Sequence, residues 1–447
     1  MSTLMDHIDD IQTQLSALRI KPGDRIAFVG PTGPPLAAAI IACWRSGAVV
    51  VPMSTRTPKE TLSQSIDMTD CRLVFASEAY LKVICDVAMI PLEPSVSGLE
   101  RRFSGICWDQ LDLELDQEAS IVLTSGSGGV PKAVLHTLGN HYYSALGADE
   151  NCPFTRDDVW LASLPMSHVS GLSLLMRALI YGGGIEFMAP KESLAQAIQA
   201  EGLTHLSLVP TQLKRLLADS SDADVLQRFK AILIGGAPCP TELVEQCVHR
   251  GLPIYLTYGC TEMASQVTTT PLLNADARDL NHSGGVLPHR ELEITPQGEI
   301  RVRGLTLFKG YVTTRWLEAP FDVDGWFYTG DLGSLDAQGC LTVHGRKDTL
   351  FISGGENIYP EPIEKAILVL DGVEKCLVVP VESETYGKRP VAFVKMTDDI
   401  LPERAFFQER LHGLESFRIP DQFYAWPAHV DDTVKVSRSE FIDSIRN

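Results

Sequence analysis

Short apolar runs alternate with helix-like segments through the first 270 or so residues, and this alternation limits the folds open to the chain. Residues 36–45, in the stretch LAAAIIACWRSGAVVVP, have the composition of a buried helix, and residues 48–51 that of a strand. Apolar strands are also predicted at residues 206–209 and 231–234, each followed by proline or glycine. Strands that alternate with helices pair in parallel, so the pattern predicts an α/β fold. Ligands of such sheets bind beyond the carboxyl ends of the strands.

After about residue 271 the sequence pattern changes to short strands separated by turns. Two β-hairpins are predicted at residues 290–304 and 321–346. From residue 359 the pattern is helix, two strands, helix and a final strand-like stretch, which predicts a compact α+β unit of ordinary domain size. We therefore expect residues 1–347 to form a large multi-layer domain with parallel-rich sheets and a β-rich subdomain, and residues 348–447 a small C-terminal cap domain.

The composition excludes several classes of protein. At 447 residues the chain is too long for one ordinary core, and 45% hydrophobic with 21% charged residues is typical of a globular protein. The formal net charge of −19 repels nucleic acid and anionic lipid, and no cluster of lysine and arginine offsets it. No apolar run approaches the roughly 18 residues of a membrane span. We expect no nucleic-acid partner and no membrane partner.

The cysteines indicate the compartment. The ten cysteines are scattered and form no C-x-x-C pair, as expected of reduced and mostly buried thiols. The N-terminus carries early acidic residues and lacks the apolar segment of a signal peptide. These features predict a cytoplasmic protein whose partners are small molecules, and they leave both a monomer and a homo-oligomer open.

Glycine and hydroxyl residues crowd the segment TSGSGGVPK at residues 124–132, directly after the apolar run 119–123. Backbone N–H groups of such a turn can converge on a phosphate, and the hydroxyls add further donors. A Walker A loop is disfavoured because Pro131 precedes Lys132 and Ala133 follows it. A flexible surface turn is the alternative.

Four more motifs follow this loop in order: YGCTE (258–262), YTGD (328–331), GRKD (345–348) and GGENIYPEPIE (354–364). With the loop, they resemble the adenylate-forming superfamily of acyl-CoA synthetases, peptide-synthetase adenylation domains and luciferases. The resemblance runs from about residue 20 to the C-terminus, with a shortened leading segment. The family pattern of the loop is T-S-G-[ST]-T-G-x-P-K, so Gly128 stands where a threonine is usual and one hydroxyl is missing.

The resemblance implies roles for residues at the matching positions. Asp331 would bind the ribose hydroxyls, Arg346 nucleotide oxygens, Glu262 a Mg²⁺ ion, and Thr261 the α-phosphate, with Tyr258 beside the adenine. The alternatives are a turn aspartate, a solvated arginine and a helix-capping glutamate. The ATP contacts implied by position are Thr124, Ser125, Gly126, Ser127, Gly129, Lys132, Gly235, Gly236, Ala237, Tyr258, Gly259, Asp331 and Arg346.

Three stretches point to one branch of this superfamily. Residues 163–179, residues 205–217 and DDTVKVSR (431–438) are similar to the o-succinylbenzoyl-CoA synthetases of menaquinone biosynthesis. In the last stretch Lys435 follows a valine, where the superfamily usually has Gly-Lys. The branch places an arginine beside the acid at the position of Arg177, and the family histidine at the mouth of the thiol tunnel matches His168. Ser265 and Gln266 are further candidates for the acid site.

The charge of the acid supports a cation in its pocket. o-Succinylbenzoate has two carboxylates and only one is activated, so a positive group should hold the other. Arg177 is an isolated charge in an apolar segment and needs a partner. A salt bridge to a structural acid is the alternative for Arg177, and a structural imidazole the alternative for His168.

The implied activity is ligation of o-succinylbenzoate to CoA with ATP, through an acyl-adenylate, giving AMP and pyrophosphate. Mg²⁺ would be the cofactor, and Lys435 would bridge the attacking carboxylate and the α-phosphate. Asp348 would be the hinge of the cap, and Ser353, Gly354 and Gly355 would line the CoA channel. A CoA ligase for another aryl or acyl acid and a catalytically silent nucleotide-binding protein are the alternatives.

Overall fold

The computed structural model describes residues 4–80, 87–92, 101–124, 131–273, 280, 282–313, 316–427 and 438–446. Within these ranges the helices are α1 (Leu4–Ala17), α2 (Pro34–Arg45), α3 (Lys59–Met68), α4 (Leu138–Asp149), α5 (Val169–Tyr181), α6 (Leu194–Ala197), α7 (Pro210–Ala218), α8 (Ser220–Leu226), α9 (Thr241–His249), α10 (Pro360–Leu368), α11 (Arg404–Arg410) and α12 (Arg438–Arg446).

The strands in the same ranges are β1 (Arg25–Val29), β2 (Val49–Met53), β3 (Cys71–Ala76), β4 (Ala88–Pro91), β5 (Arg102–Phe103), β6 (Glu118–Thr124), β7 (Lys132–Thr137), β8 (Val159–Ala162), β9 (Gly184–Phe187), β10 (His205–Leu208), β11 (Ala231–Ile234), β12 (Ile254–Cys260), β13 (Ser265–Thr269), β14 (Gly285–Val286), β15 (Arg290–Ile294), β16 (Glu299–Gly304), β17 (Gly310–Val312), β18 (Leu317–Glu318), β19 (Phe327–Leu335), β20 (Leu341–Arg346), β21 (Phe351–Ser353), β22 (Glu356–Ile358), β23 (Val373–Ser383), β24 (Gly387–Met396) and β25 (Phe423–Ala425).

Two eight-stranded sheets form the large N-terminal part. Their orders are β18-β17-β7-β6-β2-β1-β3-β4 and β14-β13-β12-β11-β10-β8-β9-β5. In each sheet five neighbouring strands are parallel, β6 to β4 in the first and β12 to β9 in the second. Antiparallel strands complete the edges. The predicted α/β class with parallel-rich sheets is therefore confirmed.

Alternating side chains of the strands divide this part into layers. In β1, Phe28 packs into the core between the sheets and Val29 into the core on the far side, because successive side chains of a strand point to opposite faces. In β8, Trp160 likewise packs into the core between the sheets and Leu161 into the core on the far side of the second sheet. Helices α1, α2, α4 and α5 fill the central layer, α3 covers the outer face of the first sheet, and α6 to α9 cover that of the second.

The two predicted hairpins form one small sheet, in the order β15-β16-β19-β20. The strands pair antiparallel throughout, and Asp331 of β19 faces Arg346 of β20 in the register. Two motifs that are separate in the sequence are thus brought side by side.

Residues after the turn at 347–350 build a small α+β unit with cores of its own. The β23–β24 hairpin and β25 carry α10 and α11 on one face and α12 on the other. The predicted helix at 361–370 and the two predicted strands are present as α10, β23 and β24. Helix α12 was not predicted, since only a strand-like ending was expected there; Phe441, which is fully buried, holds α12 against Val379 and Phe393.

This C-terminal unit packs against α7 and α9. The ammonium of Lys214 in α7 donates hydrogen bonds to the carbonyl oxygens of Leu368 (2.5 Å), Leu370 (3.3 Å) and Val373 (2.9 Å). Lys365 of α10 donates to the Thr241 hydroxyl at 3.1 Å. These bonds hold the end of α10 to the N-terminal part.

Two further features bear on the cellular setting. Among the residues that the structure describes, no helix combines the length and the apolar character needed to cross a membrane. The nine cysteines within the described ranges all carry free thiols. Burial raises the pKa of Cys71 and of Cys247 to about 12, so these thiols are held in the neutral form.

Truncation of a central-layer side chain should destabilise the N-terminal part. Ile41 of α2 is 0% exposed, so Ile41→Ala leaves a cavity and should lower the free energy of unfolding by about 2–5 kcal/mol. Guanidinium denaturation followed by tryptophan fluorescence measures this. Ile400→Ala is the matched control, because Ile400 is 69% exposed and its loss should change the value by less than about 0.5 kcal/mol. Equal shifts in the two variants would contradict the layer arrangement.

Candidate active site

A cleft of about 3340 Å³ runs between the large N-terminal part and the C-terminal unit, beyond the carboxyl ends of the parallel strands. Most of the residues singled out from the sequence contribute to its wall. Those are Thr124, Lys132, His168, Arg177, Gly235, Gly236, Ala237, Tyr258, Gly259, Thr261, Glu262, Ser265, Gln266, Asp331, Arg346 and Asp348.

Some predicted residues lie elsewhere. Ser353 and Gly354 line a separate cavity of about 400 Å³ on the C-terminal unit, with Tyr386 and Arg389. Gly355, beside them in the turn between β21 and β22, lines neither cavity. The structure therefore does not bring this glycine loop to the main cleft. Of the other predicted residues, Ser125, Gly126, Ser127, Gly129 and Lys435 lie outside the described residues.

One corner of the cleft joins three predicted nucleotide contacts. The Tyr258 hydroxyl donates to Asp331 Oδ2 at 2.6 Å, and Arg346 Nη1 lies 3.1 Å from Asp331 Oδ1. Arg346 also donates from Nε to Asp348 at 3.1 Å. Asp331 belongs to a paired strand and is not a turn aspartate, and Arg346 is ion-paired rather than merely solvated.

The electrostatics of this corner keep Tyr258 and Arg346 protonated. Burial, together with the nearby Asp331 carboxylate, raises the pKa of Tyr258 well above its ordinary value, so its hydroxyl keeps its proton and donates. Although burial opposes it, hydrogen bonds and attraction from Asp348 and Asp331 raise the pKa of Arg346. A carboxylate held in this way can accept from the hydroxyls of a sugar.

A second corner lies at the mouth of the β6–β7 hairpin. The Tyr311 hydroxyl donates to Glu262 Oε1 at 2.7 Å, and Lys132 Nζ lies 4.7 Å from the centre of the Tyr311 ring. Glu262 therefore does not serve as a helix cap. Burial and the Glu262 carboxylate raise the pKa of Tyr311 above its ordinary range. A carboxylate and an ammonium thus face the cleft beside one aromatic ring.

Glu262 fits a magnesium ion bound through phosphate oxygens. Among the described residues, no three His, Cys, Asp or Glu side chains come together as a metal-binding cluster. Magnesium bound with a nucleotide needs only one or two protein carboxylates, because water and phosphate supply the other ligands. The single carboxylate of Glu262 on the cleft wall meets that requirement.

The chain between β12 and β13 is tightly folded at this corner. Ala264 has φ 55° and Ser265 φ 132°, both outside the region that residues with a side chain prefer. A β carbon on Gly259 would lie 2.1 Å from the Ser265 carbonyl oxygen. His136 supports the turn, because its Nε2 donates to the Thr261 carbonyl at 2.7 Å; burial lowers the pKa of His136 to about 4 and keeps the ring neutral.

Arg177 lies at the far end of the cleft and is only 2% exposed. Its Nη2 donates to Gln266 Oε1 at 2.5 Å, and its guanidinium carbon lies 4.9 Å from the centre of the Trp160 ring. Its Nη1 has no hydrogen-bond partner among the residues that the structure describes. Within the described part of the chain, no carboxylate lies within ion-pairing distance of Arg177. The structural salt bridge considered as an alternative is therefore not observed there.

His168 precedes the first residue of α5 and lines the cleft. The surrounding cleft walls and the positive charge of Arg56 lower the pKa of His168 below its ordinary value. The His168 imidazole is therefore neutral at neutral pH.

Two residues of the site were missed from the sequence. Tyr311 organises Glu262 and Lys132, and Trp160 forms a face for Arg177. Neither belongs to a motif, and each acts on residues distant in the chain. An apolar-aromatic strand residue gives no signal of such a role until the fold is known.

A methyl group on Gly259 should damage nucleotide binding. Because the new carbon would meet the backbone of Ser265 at 2.1 Å, Gly259→Ala should move Tyr258 and Thr261 and weaken AMP binding by about tenfold or more. Isothermal titration calorimetry measures the affinity. Gly285→Ala is the matched control, since no atom of the described residues lies within 4 Å of the position of its β carbon. Unchanged affinity in Gly259→Ala would show that this turn does not shape the nucleotide site.

Comparison with known proteins identifies relatives over most of the chain. The chain is 33% identical to 2-succinylbenzoate–CoA ligase of Geobacillus kaustophilus over 432 residues, which cover 92% of this chain and 86% of that protein. It is 34% identical to the enzyme of the same name from Bacillus cytotoxicus over 443 residues, with 94% and 88% covered.

Solved structures show the same likeness. Bacillus subtilis o-succinylbenzoate CoA synthetase (MenE) in complex with the acyl-adenylate OSB-AMP superposes with a TM-score of 0.84 at 27% identity, covering 98% of this chain and 92% of that one. The same enzyme in complex with ATP and a magnesium ion gives 0.83 at 27% identity, with 98% and 94% covered. The sequence model of the family described as "AMP-binding enzyme" matches residues 2–312. The chain is therefore a member of the AMP-binding enzyme family.

Proposed function

We propose that this enzyme is an AMP-forming acid–CoA ligase that converts o-succinylbenzoate, ATP and CoA to o-succinylbenzoyl-CoA, AMP and pyrophosphate. The observation that carries the choice of acid is Arg177, a buried cation at the end of the cleft without a carboxylate partner among the described residues. The names of the similar proteins support the same acid. The free thiols support a reducing compartment, and we propose the cytoplasm.

The nucleotide would occupy the corner formed by Tyr258, Asp331 and Arg346. Asp331 accepts from Tyr258 with one oxygen and from Arg346 with the other, so its orientation is set before any ligand arrives. A preorganised carboxylate can take up ribose hydroxyls without losing further side-chain entropy. The phosphates would then extend toward Glu262 and Lys132.

The acid would bind with its two ends at different places. Its spectator carboxylate would pair with Arg177 and supply an acceptor for Nη1, while the aromatic ring lies along the apolar wall near Trp160. Burying a charge without a counter-charge costs several kcal/mol (order of magnitude), so binding of an anion there is favoured. The succinyl carboxylate would then lie toward the phosphates.

The first step joins two anions, and charge neutralisation is its main requirement. The acid carboxylate oxygen attacks the α-phosphorus, and pyrophosphate leaves. Mg²⁺, when bound at Glu262, would neutralise charge on the phosphate oxygens. Lys132, Thr261 and Lys435 would hold the α-phosphate and the attacking carboxylate in line, which is where positioning contributes to the rate.

The second step transfers the acyl group to the CoA thiol and releases AMP. His168 lines the cleft, and the thiol would enter beside it. Trp426 and Arg438 line the cleft, whereas Ser353 and Gly354 line the separate smaller cavity. This arrangement supports a state suited to the first step, and we propose that rotation of the C-terminal unit about Asp348 brings the glycine loop to the CoA channel for the second.

Removal of the Arg177 guanidinium should change the preference of the enzyme among acids. Arg177→Ala should lower kcat/KM for o-succinylbenzoate by roughly 100-fold, because a buried charge pair is lost, and should affect benzoate and a medium-chain fatty acid much less. AMP formation is measured with all three acids side by side. Arg250→Ala, at an exposed position away from the cleft, is the control. A preference of the unaltered enzyme for either of the other acids would replace the proposed substrate, and the absence of pyrophosphate release with every acid would indicate a silent nucleotide-binding protein.

Two variants should impair opposite half-reactions. Lys435→Ala should slow adenylate formation and leave thioester formation from preformed acyl-adenylate nearly unchanged, because the lysine serves only the first step. Asp348→Pro should do the reverse, since a fixed φ prevents rotation. Single-turnover assays of each step measure both. Asp348→Ala is the control, because it removes the ion pair with Arg346 and keeps the backbone free. Normal CoA turnover in Asp348→Pro would refute the rotation.

A further inference from the structure

A second arginine is buried behind the acid end of the cleft. Arg290, the first residue of β15, is 6% exposed and does not line the cleft itself. Its guanidinium donates to the carbonyl oxygens of Gln266 (2.7 Å), Pro288 (2.6 Å) and Ser144 (3.1 Å), and to the Ser144 hydroxyl (3.2 Å). All four acceptors are neutral. In the described ranges no carboxylate forms an ion pair with Arg290.

Gln266 connects this arginine to Arg177. The Gln266 backbone carbonyl accepts from Arg290, and its side-chain oxygen accepts from Arg177. Its amide nitrogen donates to Thr269 Oγ1 at 2.8 Å, which fixes the orientation of the amide. Gln266 is therefore held at both ends, and Arg290 sets the position of the residue that orients Arg177.

The chain makes room for Arg290 at one place. A β carbon on Gly147 of α4 would lie 2.3 Å from Arg290 Nη1 and 2.4 Å from the Pro288 carbonyl oxygen. Alanine is otherwise more favourable than glycine inside a helix. Glycine at position 147 therefore lowers the stability of α4 but leaves space for the Arg290 guanidinium.

Two buried guanidiniums with neutral ligands create a strongly positive region. Burial, and repulsion by the charge of Arg177, lower the pKa of Arg290 to about 9. Asp149 attracts Arg177 at longer range but forms no ion pair with it. The Asp149 carboxylate instead accepts from the Phe154 backbone N–H at 2.8 Å. Two such charges are stabilised by an anion that enters from the cleft.

We propose that Arg290 is a positioning and specificity-determining residue that, through Gln266 and its own charge, makes the acid pocket select acids with a second carboxylate. The inference rests on the proposed function and deepens it. Arg177 would touch the spectator carboxylate, and Arg290 would act from behind it. Monocarboxylic acids would gain nothing from Arg290.

The test compares two acids that differ only at the spectator carboxyl: o-succinylbenzoate, and its monoester, in which an uncharged methyl ester replaces the benzoate carboxylate. For Arg290→Met, KM for the diacid should rise by about tenfold or more, with kcat nearly unchanged, and KM for the ester should change by less than about twofold. Arg290→Lys keeps the charge and should retain most of the preference for the diacid. Gly147→Ala should act like Arg290→Met, because the new carbon displaces the guanidinium.

A purely structural role would predict different results. If Arg290 only stabilises the fold, both acids should be affected equally in Arg290→Met and in Gly147→Ala, and that outcome overturns the proposal. AMP affinity, measured by calorimetry, shows that each variant retains its nucleotide site. If the unaltered enzyme forms no AMP from o-succinylbenzoate, the proposed function fails separately. Binding of the diacid and its ester is then compared by calorimetry, and an unchanged preference in Arg290→Met still overturns the role of Arg290.

Discussion

Parallel pairing of the central strands is the constraint on which the site depends. In both large sheets five neighbouring strands run in the same direction, so the segments that follow them meet along one edge. Gly235 after β11 and Tyr258 near the end of β12 reach the cleft in this way, and so does Ser163 after β8. Buried aliphatic faces on both sides of each sheet keep that edge rigid, which allows ligand contacts from distant parts of the chain to hold fixed distances.

The distribution of charge is the second organising feature. The whole chain is acidic, with a net charge of −19, yet the cleft has Lys132 and Arg346 near the proposed phosphate and ribose positions and Arg177 at the acid end. All the reactants proposed for this enzyme are anions. Local cations in a partly desolvated cleft attract them, while the acidic exterior disfavours other polyanions. The protein thus separates the charge needed for solubility from the charge needed for binding.

The sequence was most informative where a pattern is local. The helix at Pro34–Arg45, the strand at Ala231–Ile234 and the β19–β20 hairpin followed from periodicity and turn residues. The motifs containing Asp331 and Arg346 were identified separately, but their direct pairing depends on strand register, which no local pattern specifies. The fold class and the family could be predicted in this way.

What escaped prediction depends on contacts between distant residues. Trp160 contacts the Arg177 guanidinium and Arg290 the Gln266 backbone carbonyl, both more than ten residues away, and a single aromatic or arginine residue carries no mark of such a partner. Helix α12 was not predicted for a different reason. Its apolar positions are few, and its place is set mainly by Phe441 inserting into a core made by other strands.

The attachment of α10 to α7 has a consequence for how easily the two parts of the molecule come apart. The final carbonyls of a helix have no partners within the helix itself; here an ammonium from a neighbouring unit satisfies three of the carbonyls at and just beyond that end. Water can take its place whenever the surfaces separate, but a hydrogen bond with a charged partner contributes about 1.5–3 kcal/mol to the free energy. The three bonds of Lys214 therefore favour this one docking geometry, and any separation of the two parts has to exchange all three for bonds to water.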